Sequence, residues 1–215
     1  MKQILIEMIK NIFSSEKFPT RTLIIFALLV LLLSQLSMPI NEKVTAIVMQ
    51  NMQLDSVHKE MAQNMLSKMG TITVVLSVIT SIVEVIICSL FVYLASKIIH
   101  ADISFNKSFL LCLTTSIILL INDYVSMGGN LMQGVENIHS IRDVYCTSIG
   151  YLLHLSDSTF VSKILLVLNP FTFIAFAYFV YCLNLLFKVK TTIAVYTSLI
   201  LFSIYVISHA SLLNI

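Results

Sequence analysis

Long apolar runs alternate with short polar breaks along this chain. Five runs are candidates for crossing a bilayer: Thr22–Met38, Thr71–Ala95, Phe109–Ile121, Ile164–Phe187 and Thr192–Leu213. A bilayer core takes about 20 apolar residues per helix. The third run is short, and Asn122 and Asp123 interrupt it, so it is read as reaching from near Phe105 to Val125. No segment alternates apolar and polar residues at the period of a membrane barrel strand. The predicted fold is an all-α integral membrane protein with five transmembrane helices.

Residues 1–21 precede the first run as a cytoplasmic leader. Ile4, Leu5, Met8, Ile9 and Phe13 recur at helical spacing, with Lys2, Glu7, Lys10 and Asn11 largely on another face. That pattern predicts an amphipathic interfacial helix, ended by Ser14-Ser15 and Pro19. Met38-Pro39-Ile40 is a poor signal-peptide cleavage site, so the first run is expected to be retained. Residues 22–215 then form a single five-span membrane domain, with outer loops near 41–70 and 124–163. In the first loop a helix is expected to start at Asp55 and stop at Gly70. In the second, Gly128-Gly129 is expected to break the chain.

Composition strengthens the membrane reading. Of 215 residues, 58% are hydrophobic and 11% charged, under half the charged share of a soluble domain. Basic residues set the expected orientation. With the N-terminus inside, the cytoplasmic stretches hold Lys2, Lys10, Lys17, Arg21, Lys97, Lys107, Lys188 and Lys190, eight of the 13 Lys and Arg. The longer outer loops hold the remaining five. The expectation is a multi-pass cell-membrane protein, N-terminus cytoplasmic and C-terminus outside, in contact with membrane lipid. Tyr93, Tyr124, Tyr151 and Tyr205 stand in for interfacial tryptophans, of which there are none.

Glu84 is the most informative residue. It lies mid-way along the second run, where a carboxylate is expensive unless it faces protein, pairs or stays protonated. Ser77 and Ser81 lie near its face and, with Cys88, make a small-residue stripe that favours helix packing. The functional reading is a proton or ion relay or a partner contact. The structural reading is an interhelix hydrogen bond to Asn122, Asn184 or a hydroxyl. With no second acid expected at comparable depth, the partner seam Glu84, Ser77 and Ser81 is preferred. Asn122 and Asp123 are assigned to the outer edge of the third span, as a helix terminus.

Other chemistry is thin. Met49, Met52, Met61, Met65 and Met69 fall near His58. Thioether and imidazole suit Cu(I), but a methionine stripe at helical spacing more often packs on an adaptable apolar surface, so no metal and no cofactor are predicted. His58, His100, His139, His154 and His209 are scattered, without a His-Glu-x-x-His pair. No nucleophile elbow or phosphate loop appears, and no catalytic residue is expected. A net charge of +2 spread along membrane edges argues against nucleic acid. Cys88, Cys112, Cys146 and Cys182 imply no disulfide framework.

The fourth run opens Leu168-Asn169-Pro170-Phe171-Thr172. Pro170 suits a first helical turn and Asn169 suits its cap. This opening, the short basic turn at Lys188–Lys190, the inner loop Ser96–Lys107 and the polar segment Gln53–Met69 resemble the Yip domain family, the Ypt/Rab-interacting membrane proteins, in a bacterial-type member. The family's inner-loop Gly pair is replaced here near Ile99, His100 and Ala101. The resemblance implies a non-enzymatic membrane adaptor acting through helix–helix contacts, with Asn169, Pro170, Phe171 and Thr172 as its family-like motif. It further implies an accessory role beside ABC-type exporter subunits in antimicrobial peptide resistance. Two rivals are a small-solute or proton-coupled transporter using Glu84, and a bacteriocin-immunity membrane protein working through its outer loops.

Overall fold

The computed structural model describes residues 19–51, 56–101, 103–139, 141–154 and 159–212. The amphipathic helix expected over Met1–Phe13, the Asp55 cap and the methionine face lie outside the described residues and side chains. The described chain is helical, and no strand occurs in it. In order, α1 is Thr20–Asn51, α2 Ser56–Ile98, α3 Phe105–Gln133, α4 Ile141–Val144, α5 Ile149–Leu152, α6 Phe160–Val167, α7 Pro170–Phe187 and α8 Thr191–Leu212. Five of these, α1, α2, α3, α7 and α8, are long and apolar enough to cross a membrane.

Short turns at Ile99–Ser104 and Lys188–Lys190 join successive long helices at one end of the bundle, termed the basic end. The described segments 134–139, 141–154 and 159–169 gather at the other, the loop end. Helix α3 is central. In its apolar window 44% of residues are buried, against 17% in those of α1, α2 and α8. Its Phe109, Leu111 and Leu113 are almost wholly enclosed, and they join Phe26, Val85, Val92, Phe179, Leu183 and Ala194 in one core. Tyr124 donates to the Leu29 carbonyl at 2.5 Å, tying α3 to α1, and Tyr178 donates to Thr114 at 3.1 Å, tying α7 to α3. The periphery is apolar: Ile24, Leu28, Leu32 and Leu36 of α1, and Leu199, Ile200, Ile204 and Ile207 of α8, are exposed. Such continuous apolar stripes suit a hydrocarbon surrounding rather than water.

Three boundaries differ from expectation, each for a tertiary reason. First, α3 does not end near Val125 and Gly128-Gly129 does not break it; it runs to Gln133 and stops at Gly134, whose φ is 90°. The loop segment 144–147 bonds onto this half of α3, so packing outweighs the weak helix propensity of glycine. A side chain at Gly129 would stand 3.2 Å from the Cys146 sulfur, so the glycine permits that close approach. Second, the expected outer loop 41–70 is mostly helix. α1 continues through Pro39 to Asn51, and α2, 43 residues long, passes Gly70 unbroken. At 1.5 Å per residue α2 spans about 65 Å, roughly twice a bilayer core. Third, the run starting at Ile164 divides. Helix α6 ends at Val167, Leu168 is extended, and α7 starts at Pro170.

The turns follow local chemistry. Asn169 caps α7 by accepting from the Thr172 amide at 3.0 Å, with Pro170 in the first turn. Asn184 donates to the Val189 carbonyl and to Thr191, closing the basic turn, where Lys188 takes φ 53°. His100 takes φ 54° in the inner loop, a left-handed conformation that glycine adopts most readily.

Candidate functional site

A partly open cavity of about 160 Å³ is lined by all five long helices, and its two acids, Glu84 and Asp123, are exposed residues. Helix α1 contributes Phe26. Helix α2 contributes Ser81, Glu84 and Cys88, which share a face by their spacing. Helix α3 contributes Cys112, Thr115, Ser116 and Asp123, α7 contributes Phe179, and α8 contributes Phe202, Tyr205 and His209. A second cavity, of about 370 Å³, lies toward the loop end between Asn41, Ser126, Tyr145 and Asn169. The two share Asp123, Tyr205 and His209. Both exceed the roughly 10–15 Å³ that one water requires, and both carry polar groups to hold water.

Below Cys112 and Phe179 the space closes. Leu111 and Leu113 are fully buried, and the next void toward the basic end, among Val92, Ile103, Leu183 and Val189, is about 10 Å³. Two cavities that share Asp123, Tyr205 and His209 thus lie between the loop end and a tightly packed apolar core.

Glu84 makes no hydrogen bond or ion pair with another described residue. Its expected partners are engaged elsewhere. Asn122 is buried within α3, where its carbonyl accepts from Thr147 at 2.7 Å and its amide donates to Asp123 at 3.3 Å. Asn184 belongs to the basic turn. Asn122 and Asp123 therefore do not mark a helix terminus: the helix continues past them because Thr147, held also to Ser126 at 2.8 Å, supplies the polar partner that water was expected to supply. Asn130 adds a bond to the Val144 carbonyl at 3.0 Å.

The serines of the expected seam divide. Ser77 is bonded to Ser34 of α1 at 2.5 Å and faces the interior of the chain, whereas Ser81 lines the cavity beside Glu84. Glu84 does not stand alone in this cavity, since a second acid, Asp123, lines it too. His209, which composition left unassigned, stacks on Tyr205 with ring centroids 4.1 Å apart and lies within electrostatic reach of Asp123. Tyr205 lies within reach of both Asp123 and Glu84. At the loop end, burial and then the Asp123 carboxylate push the Tyr145 hydroxyl up to about 12. Sequence reasoning missed Asp123, Tyr205 and His209 as a group because only packing unites them. The available signal was that His209 and Tyr205 are one helical turn apart near the end of the last run.

Among the described residues no group of three or more His, Cys, Asp or Glu side chains is arranged to hold a metal ion. Asn169, Pro170 and Thr172 form a helix start; Asn169 also borders the larger cavity. No family model matches the chain, and no curated protein or solved structure matches it either.

Proposed function

We propose that this is a non-enzymatic, multi-pass cell-membrane protein that takes a small solute from its loop end into the Glu84–Asp123 cavity, as a proton-coupled transporter does. The observation that carries this reading is that Glu84, Asp123 and His209 line one cavity among apolar helices. Ionisable groups at such depth mark solute paths and proton relays, and a solute site between packed spans is the common arrangement in transporters. The basic-residue asymmetry supports an N-terminus inside and a C-terminus outside, which puts the loop end outside. The test is solute-driven change of lumenal pH in dye-loaded proteoliposomes, run over a panel of small cationic, neutral and anionic solutes. The reading expects at least one solute to move protons, and Glu84→Gln and Asp123→Asn each to abolish that response. A panel with no response would remove the transporter.

A second reading is the accessory-subunit role implied by the Yip resemblance, beside an ABC-type exporter. One observation favours it: α2 continues about 18 residues beyond its apolar window toward the loop end, a projection suited to a protein partner. Co-purification of permease and ATPase subunits in stoichiometric amounts would support it. On that reading the contact surface is the projection rather than Ser77, which is bonded within the chain.

A further inference from the structure

We infer that the cavity is built for a small organic cation, an alkyl-substituted ammonium, held between the Glu84 and Asp123 carboxylates and an aromatic wall of Phe26, Phe179, Phe202 and Tyr205. The inference rests on the solute reading above and names its substrate class. Size comes first: about 160 Å³ is close to the roughly 150 Å³ that accepts a benzene-sized molecule. Charge comes second. Two carboxylates and one histidine line the space, with no Lys or Arg among the lining residues. A cation gains Coulomb attraction from both acids that a neutral occupant of the same shape does not.

The wall decides between kinds of cation. Phe202 meets Phe179 at 6.2 Å with planes 74° apart, meets Phe176 at 5.5 Å, and meets Tyr205 at 6.4 Å. Tyr205 in turn stacks on His209. This connected row of rings is held by its own edge-to-face contacts, and its Phe179, Phe202 and Tyr205 line the same cavity as the two carboxylates. A bare metal ion needs several convergent oxygen or nitrogen ligands, and the described residues offer no such group. An alkylammonium uses both features, carboxylates for its charge and ring faces for its methyl groups.

The test uses Cys88, which lines the cavity one turn from Glu84. In a protein with Cys112→Ala, Cys146→Ser and Cys182→Ala, reconstituted in lipid nanodiscs, alkylation of Cys88 by N-ethylmaleimide is timed against added choline. The control is 3,3-dimethylbutan-1-ol, the neutral carbon isostere of choline. Choline is expected to slow alkylation at a concentration about tenfold lower than the isostere, the scale of a partly desolvated cation–aromatic contact. Glu84→Gln is expected to erase the difference, and Phe202→Leu to narrow it. Equal protection by both compounds overturns the inference while leaving a solute cavity in place. Alkylation unaffected by either overturns it too, and the proteoliposome panel then decides the solute reading independently. The isostere comparison requires no substitution in the aromatic wall, so it stands if the Phe202 variant fails to fold.

Discussion

Glu84 of α2 and Asp123 of α3 line the same cavity, although the sequence separates them by a turn and much of two helices. Asp123 is tied to Asn122 and, through it, to Thr147; Glu84 has no such tie among the described residues. One acid is anchored and the other is held by no hydrogen bond among the described residues. This difference between the two carboxylates organises the predictions that follow.

On the proposed reading Glu84 is kept at a cost to stability, because a carboxylate without a partner among apolar helices is better replaced by an apolar side chain. Glu84→Leu is expected to raise the melting temperature in detergent by about 2–4 °C, roughly 1 kcal/mol for a chain of this size, while abolishing solute response. A drop in melting temperature would make Glu84 a structural tie between helices instead.

Thr147 pins the loop segment to α3 through Asn122 and Ser126. Thr147→Val leaves the buried Asn122 carbonyl without that donor, at a cost of about 1–3 kcal/mol. Asn122→Leu on top of it is expected to cost less than the two single changes summed, since both break one network. Thermal melts of the four proteins complete the cycle, and strict additivity would mean the network does not act as a unit.

Two glycines make opposite predictions. A side chain at Gly128 meets nothing within 4 Å, whereas one at Gly150 comes 2.9 Å from the Leu166 backbone nitrogen. Gly128→Ala is expected to stabilise by about 0.5–1 kcal/mol through helix propensity. Gly150→Ala is expected to destabilise by about 1–3 kcal/mol by forcing α5 and α6 apart. Denaturation of both variants side by side checks the loop-end packing.

His100 takes φ 54° at the basic end. His100→Gly is expected to keep or raise stability, by up to about 1 kcal/mol, and the β-branched His100→Val to lower it by about 1–2 kcal/mol. The same ordering in melting temperature confirms the left-handed turn; indifference to valine would remove it.

Much of the fold was legible because it is written locally. The apolar runs gave the five long helices, Asn169 and Pro170 gave the start of α7, and Lys188–Lys190 gave the last turn. Glu84 stood out as an anomaly for the same reason, a charge in an apolar run. What stayed hidden depends on residues distant in sequence. Asn122 and Asp123 read as a helix end because water seemed their natural partner, yet Thr147 arrives from a loop to replace it. Gly128-Gly129 read as a break because propensity does not register the packing of Cys146 against α3. The shared cavity of Glu84, Asp123, Tyr205 and His209 needs the helices assembled, and no spacing along the chain encodes it. The residues behind the resemblance to the Yip family, Asn169 to Thr172 and Lys188 to Lys190 among them, lie at helix ends and do not line this cavity.

The most direct test of the central claim is the side from which water reaches Cys88. In the single-cysteine protein, a membrane-impermeant cationic thiosulfonate is added to right-side-out spheroplasts and, separately, to inside-out vesicles. The account predicts labelling of Cys88 from the outer face, by way of the two cavities between the loop end and Glu84, and none from the basic end, where Leu111 and Leu113 close the core. Labelling from the basic end, or labelling only by a lipid-soluble maleimide, would contradict it.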